Sequence, residues 1–283
     1  VYKRQILACA VAAGIEARRI VDLYVNEGQR VFSPNGLLVR FFRGPKYDGR
    51  GLEAALEDVF GNAAFGALEV KPTLVTTYDT FTGKPVMFKN DRPRHAGLLV
   101  RDVCRASSAA PTYFLPHLVK ISGAKVPLID GGVVANNPTA CAIAEAVRVG
   151  RLGGASWDND DCLGRLVVAS FGTGEVLRRI GPGQADCWGA VRWARPIIDV
   201  LMDGSNDAVD YVARQLIRPA NFFRFQIPLD RPYERMDNAC AENLDVLTHL
   251  ATHYIESGVG RRKLEGLVER LNGAGRCTGA AEK

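Results

Sequence analysis

Apolar residues in the first part of the chain form continuous runs that glycine, proline and short polar stretches separate. The segment 6–27 is apolar on all sides in its first half, as in a helix buried against a sheet. Gly14 lies inside this segment and predicts a break, with a second helix over about 16–30. Further helices are predicted over 51–61, closed by glycine, and over 98–111, ended by proline.

Shorter apolar runs, several of them rich in β-branched residues, alternate with these helices. Residues 71–80 predict a buried strand, and a turn at Gly83 and Lys84 predicts that this strand continues as a hairpin to residue 90. Asn137 is predicted to be the N-cap of the helix over 138–150, and Pro138 its first helical position. The remaining predicted strands are 124–130, 164–174 and 221–229, and the remaining helices are 138–150, 196–217, 243–257 and 261–272.

Strands that alternate with helices, and that are apolar throughout, are typical of a parallel sheet covered on both faces. The fold class is therefore predicted to be α/β with a mostly parallel sheet.

Composition and charge narrow the function classes. The chain has 283 residues, 47% of them hydrophobic, which suits one large domain or one domain with a small appendage. The net charge of +5 comes from scattered Lys and Arg, so a nucleic-acid partner is not expected, whereas weak attraction to a membrane surface is compatible with it. Seven cysteines without paired spacing, together with no apolar run of membrane-spanning length, predict a cytoplasmic protein, and peripheral attachment to a membrane is compatible with this prediction.

The sharpest local signal is "LIDGGVVANNPTA" at 128–140. Asp130 ends a predicted strand, and ligand or catalytic groups collect at that edge of an α/β sheet. Gly131 and Gly132 allow a sharp turn and leave room for another segment. Two interpretations remain open from these residues alone: Asp130 shapes the turn by accepting backbone hydrogen bonds, or it acts on a partner elsewhere.

The surroundings resemble the patatin-like phospholipases, a family of lipid acyl hydrolases. The blocks that carry the resemblance are "RASSAAPTYF" (105–114), the aspartate block (128–146) and "ASFGTG" (169–174), in the family's order. The segments 71–90 and 236–247 are also similar to family segments, so the resemblance covers nearly the whole chain. It implies a three-layer α/β/α sandwich of patatin type.

The resemblance also implies a chemistry. In this family a serine in a G-x-S-x-G elbow and the aspartate of a D-G-[GA] motif form a dyad, and a glycine-rich loop supplies amides for the oxyanion. Asp130 is then the dyad proton acceptor, and Gly131 and Gly132 complete its motif. A serine hydroxyl is a weak nucleophile until a base lies within hydrogen-bond reach, and partial burial strengthens a carboxylate as that base. No metal and no organic cofactor is implied.

The chain departs from the family pattern at its start. It contains no G-x-S-x-G and no early glycine-rich loop, and Tyr2 stands where the elbow serine is expected. We expect an N-terminally truncated domain that lacks the nucleophile and the elbow strand. The expected division is a non-family leader at 1–5, a partial patatin-like domain at 6–217, a completing strand and helices at 218–271, and a flexible tail at 272–283.

Other candidate residues are given non-catalytic interpretations. Ser107 and Ser108 are interpreted as packing or cap residues, and His249 and His253 as packing, because the H-E-x-x-H base is absent. The "FGTGE" stretch at 171–175 is interpreted as a tight strand-end turn, since the Walker lysine is missing.

Trp188 and Trp193 have two interpretations: they are packing residues, or they belong to a mobile cover over an acyl site.

The expected function of the parent protein is phospholipase A-type hydrolysis of phospholipids or other acyl-ester lipids, with transient membrane contact. The chain itself is expected to be inactive. The alternatives are a non-catalytic lipid- or protein-binding relative that keeps the fold, and a nucleotide-binding α/β protein.

Overall fold

The structure is a computed structural model, and it describes residues 2–33, 44–152, 161–176, 180–193, 196–230, 233, 235 and 237–278. The chain divides into two compact units. Unit 1 comprises residues 1–136 and 236–241, and unit 2 comprises residues 137–235 and 242–283. The division predicted between residues 217 and 218 stays a prediction.

Unit 1 contains five helices and four strands among its described residues. The predicted break at Gly14 is confirmed, since Gly14 has a φ of +70° between the first two helices. The helices are α1 (Tyr2–Ala12), α2 (Ala17–Val31), α3 (Arg50–Phe60), α4 (Pro93–Ala96) and α5 (Val100–Ser107), and the strands are β1 (Leu74–Asp79), β2 (Lys84–Lys89), β3 (His117–Ile121) and β4 (Ala124–Asp130). Residues 2–5, predicted as a separate leader, form the first turn of α1.

The four strands form one sheet in the order β2-β1-β4-β3, and every neighbouring pair is antiparallel. The α/β class is confirmed, but the prediction of a mostly parallel sheet is wrong for this sheet. The reason is local: Gly83 and Gly123 adopt φ values of +67° and +90° and close two hairpins, which can only join antiparallel strands. Strand β3 was not predicted, because its five residues, HLVKI, neither alternate strictly nor form an apolar run, and Val119 is the single fully buried residue among them.

Unit 2 carries a two-stranded parallel sheet between helices. Its helices are α6 (Thr139–Leu152), α7 (Asp161–Arg165), α8 (Ala190–Trp193), α9 (Pro196–Leu216), α10 (Ala241–Glu256) and α11 (Gly258–Thr278), and its strands are β5 (Val168–Phe171) and β6 (Phe222–Phe225). The predicted strand at 164–174 is shorter than expected because α7 occupies its beginning. Helix α11 ends at Thr278, inside the predicted tail at 272–283, and the flexibility of that tail stays a prediction; residues 279–283 lie outside the described part.

Helix α5 holds the centre of unit 1. It packs against β1, β3 and β4 on one side and against α1 and α3 on the other. Val103 and Cys104 are completely buried on this helix, and Phe88 and Leu128 are completely buried on the sheet beneath it. These side chains belong to one continuous apolar cluster, so the sheet and α5 form a single core.

This core predicts a large cost for truncating Leu128. Leu128→Ala should lower the free energy of unfolding by about 2–5 kcal/mol, because the side chain is fully buried and the structure around such a cavity relaxes only in part. Leu118→Ala on the adjacent strand, where the side chain is 57% exposed, should change it by less than about 0.5 kcal/mol. Denaturant titration measures both, and equal losses would contradict the assignment of Leu128 to the core.

Candidate functional site

Asp130 is the last residue of β4, and three contacts fix its backbone and side chain. It pairs with Thr77 of β1, and its amide donates to the carbonyl of Ala109 at 3.0 Å. Its carboxylate Oδ1 accepts from the Gly132 amide at 2.6 Å. The turn-forming interpretation of Asp130 is therefore correct for one of its two carboxylate oxygens.

The second carboxylate oxygen of Asp130 is the chemically open one. Oδ2 is buried and has no hydrogen-bond partner among the described residues, and the whole residue is 1% exposed. A buried polar atom without a partner is rare in folded proteins, since its desolvation is not compensated. Such an atom is often found at a functional site, where it accepts a hydrogen bond or a proton from a substrate or a catalytic group.

Burial raises the pKa of the Asp130 carboxyl to about 6, against an ordinary value of 3.8. The hydrogen bond from the Gly132 amide and the positive charge of Arg4 act in the opposite direction and only partly offset the loss of water. A carboxylate with this pKa is still mostly ionised at neutral pH, yet it accepts a proton far more readily than a solvated aspartate.

The glycine turn after Asp130 leaves no room for a side chain at its first position. A Cβ on Gly131 would lie 2.0 Å from the carbonyl oxygen of Thr76 in β1. Residues Gly131–Val133 form one turn of 3-10 helix packed against this strand. Gly131 is therefore required by the close approach of two backbone segments, as the sequence indicated.

Arg4 is a neighbour of this site that sequence reasoning missed. Its guanidinium donates to the carbonyl oxygen of Asn136, and to the Asn136 side-chain oxygen at 3.0 Å. Arg4 stands in the first turn of α1, so the beginning of that helix lies beside the turn that follows Asp130. Nothing in "VYKRQ" identifies Arg4 beforehand, because an isolated arginine near a terminus carries no pattern. The side chain of Tyr2 lies outside the described part.

The two predicted packing serines are both completely buried in unit 1. Ser107 donates from its hydroxyl to the carbonyl of Thr76 at 2.6 Å, which ties α5 to β1. Ser108 has a hydroxyl oxygen without a hydrogen-bond partner among the described residues. Neither hydroxyl bonds to Asp130 in the described structure, so neither forms a dyad with it.

The remaining candidates form no further catalytic arrangement. The rings of His249 and His253 lie 6.5 Å apart on α10, and the described residues contain no cluster of three or more metal-ligating side chains. The amide of Gly172 donates to the carbonyl of Phe225 at 2.8 Å, so the glycine stretch that follows β5 continues alongside the end of β6, and its interpretation as a tight turn stays a prediction.

Trp188 and Trp193 contact each other edge to face at 5.1 Å, with Arg192 above the Trp188 ring. Their role as a mobile cover stays a prediction. Among the described helices, none combines the length and the apolar character that crossing a membrane requires.

Comparisons with known proteins bear on this geometry. Residues 6–143 match the family model of the patatin-like phospholipases. Patatin-like protein 2 of Arabidopsis thaliana is 29% identical over 88% of this chain and 68% of its own length. Patatin-like protein 1 of Oryza sativa subsp. indica is 28% identical over 90% of this chain and 66% of its own length. Probable inactive patatin-3-Kuras 1 of Solanum tuberosum is 26% identical over 86% of this chain. The chain thus spans about two thirds of the length of these relatives.

The burial of Asp130 predicts a pH-dependent stability. The folded-state pKa of Asp130, about 6, lies above the ordinary value of 3.8. The contribution of this carboxyl to the free energy of unfolding is therefore fully present below about pH 4 and is lost as the pH rises through 6. Near pH 4, Asp130→Asn and the unaltered chain should therefore have the same free energy of unfolding. Above pH 6, the free energy of unfolding of Asp130→Asn should be higher by up to about 3 kcal/mol, at 1.36 kcal/mol per pKa unit.

Denaturant unfolding at several pH values between 4 and 8 measures this difference. Asp186→Asn, at an exposed carboxylate, serves as the control and should follow the unaltered chain at every pH. A constant difference between Asp130→Asn and the unaltered chain across this range would show that the carboxyl is not held in a desolvated position.

Proposed function

Because residues 6–143 match the family model of the patatin-like phospholipases, we propose that the chain is the core of a lipid acyl hydrolase in which Asp130 accepts the proton of a serine nucleophile. Patatin-like phospholipases hydrolyse lipid esters, and in this chain Asp130 takes the proton-accepting role. The observation that carries it is the buried Oδ2 of Asp130, which has no hydrogen-bond partner among the described residues, on a carboxyl whose pKa is raised to about 6.

The proposed reaction proceeds in two halves. The serine hydroxyl transfers its proton to Asp130 Oδ2 while its oxygen attacks the ester carbonyl, and the tetrahedral intermediate expels the alcohol, which takes the proton back from Asp130. A water molecule then transfers a proton to the same oxygen and attacks the acyl-serine; the departing serine oxygen takes that proton back from Asp130, which releases the fatty acid and restores the serine. Amide donors stabilise the oxyanion in both halves.

The position of α1 supports a serine on this side of Asp130. In a G-x-S-x-G elbow the nucleophile stands immediately before a helix. The first turn of α1 contacts Asn136 through Arg4, six residues beyond Asp130, so a serine directly before α1 would stand next to the carboxylate. Residues 1–283 contain no G-x-S-x-G, and we propose that they do not hydrolyse esters by themselves.

The proposed substrates are phospholipids or related acyl-ester lipids, which the protein would meet by transient contact with a membrane surface from the cytoplasm. The net charge of +5 favours such contact with anionic lipids. The second candidate is a non-catalytic, lipid- or protein-binding relative. The missing elbow motif within residues 1–283 favours it, as does the similarity to a relative named as probably inactive.

Asp130→Asn tests the proton acceptor in a version of the chain whose α1 is preceded by a G-x-S-x-G segment. Turnover of a phospholipid should fall by about 10³–10⁴-fold, because the amide keeps the shape of the carboxylate but cannot accept the proton. Asp79→Asn is the matched control: Asp79 is also buried, but its carboxylate accepts hydrogen bonds, among the described residues, from Phe81 and Thr82 of the β1–β2 turn. Full turnover in Asp130→Asn would exclude the dyad.

Residues 1–283 as they stand should give no hydrolysis above background with a short-chain chromogenic ester or with phospholipid vesicles. Loss of one oxyanion donor alone costs about 10²–10³ in rate, and here the nucleophile is missing as well. A fluorophosphonate probe should leave every serine unlabelled. Stoichiometric labelling of one serine, with turnover lost on its replacement by alanine, would overturn this prediction, and Ser108 would be the first position to examine.

A further inference from the structure

Helix α9 has one face packed in unit 2 and an opposite face that is exposed. The packed face carries Ala213 and Ile217, both buried in a small apolar cluster with Ile143 of α6 and Phe222 of β6. The exposed face is not polar, as would be usual for a surface helix of a globular protein. Its large apolar side chains are Ile197, Ile198, Val200, Leu201, Tyr211, Val212 and Leu216, each between 38% and 66% exposed.

The residues along the middle of this face follow a regular spacing of four and three. They are Ile197, Leu201, Gly204, Ala208, Tyr211 and Gln215, and this is the spacing of the a and d positions in a coiled coil. Leu201 and Tyr211 are 64% and 66% exposed, and Gly204 and Ala208 between them are exposed as well. A second helix therefore fits this face closely at its centre, where the side chains are small.

We propose that the exposed face of α9 pairs with the same face of a second copy of this chain, with the two helices antiparallel. A two-fold axis near residue 206 would place Gly204 against Ala208 of the other copy and Leu201 against Tyr211 of the other copy. Small residues then meet small residues at the centre, and large residues meet on either side, so the face is complementary to itself. This dimer does not depend on the proposed hydrolase function.

The charges beside the face argue for a protein partner and against an anionic membrane. Asp203, Asp207 and Arg214 are exposed along one side of it, a mixture of charges that differs from the Lys- and Arg-rich polar face of an interfacial membrane helix. In the antiparallel pair the two copies of Asp207 approach each other near the axis, which weakens the contact. The α9 helix has 21 residues and is about 32 Å long, so a concentration-dependent dimer is expected instead of an obligate one.

Gly204 provides the sharpest test, because nothing lies within 4 Å of the position its Cβ would take. Gly204→Ala and Gly204→Glu should both keep the fold, and both should raise the thermal midpoint slightly, since glycine is a poor helix former. Only Gly204→Glu should abolish the dimer in sedimentation velocity, because its side chain enters the contact. Asp207→Asn should strengthen the dimer by removing the repulsion at the axis.

Leu201→Glu should weaken association by on the order of 100-fold, since each two-fold dimer carries the change twice. Phe81→Glu, which also introduces a charge at an exposed apolar residue but lies in unit 1, is the matched control and should leave association unchanged. Circular dichroism confirms that each variant remains folded.

Cross-linking determines the direction of the helices. In a background with the exposed Cys187 and Cys240 changed to serine, Ser205→Cys lies beside the axis and should be linked between copies by a short bismaleimide. Gln215→Cys should not be linked, because antiparallel helices separate the two copies of residue 215 by about 27 Å along the axis, at 1.5 Å per residue.

Three results would overturn the proposal. The first is a monomer at all concentrations, the second is a dimer that Leu201→Glu and Gly204→Glu leave intact, and the third is linkage at residue 215 without linkage at residue 205. Binding to phospholipid vesicles that Leu201→Glu abolishes, in a chain that stays monomeric, would assign the face to a membrane instead.

Discussion

The close contact between the Gly131 turn and strand β1 is the constraint on which the candidate site depends. A Cβ at Gly131 would approach the Thr76 carbonyl to 2.0 Å, so only glycine allows the chain to leave β4 at this angle. The turn brings the Gly132 amide back onto Asp130, and this bond orients the carboxylate. One oxygen is thereby held, and the other remains buried without a hydrogen-bond partner among the described residues.

The apolar core of unit 1 makes this arrangement rigid. Leu128, two residues before Asp130, is fully buried, and α5 ties the sheet together through its packing and through the Ser107 bond to Thr76. Ala109, which follows α5, accepts the Asp130 amide. The core therefore positions the carboxyl at a cost in stability, since burial disfavours its charged form and raises its pKa. Such a loss of stability is common at residues that take part in catalysis.

Several elements could be predicted from the chain because their signals are local. Gly14 separates two helices, Gly83 closes a hairpin, and β4 begins and ends at the predicted residues. The sheet direction could not be predicted in this way. An apolar run indicates that both faces of a strand are covered, but the direction of pairing depends on which strands become neighbours. Strand β3, which pairs with β4, had too weak a pattern to be predicted as a strand.

The sequence by itself determined the resemblance to the patatin-like phospholipases, the D-G-G turn and the identity of the candidate carboxylate, because glycine, aspartate and apolar spacing are local properties of the chain. The tertiary structure decided what that carboxylate can do. Burial, the pKa of about 6 and the open Oδ2 arise from segments far apart in sequence, as does the nearness of Arg4. The exposed face of α9 is a second example. The spacing of its residues can be read from the sequence, but only the packing of the helix shows which of its sides is exposed.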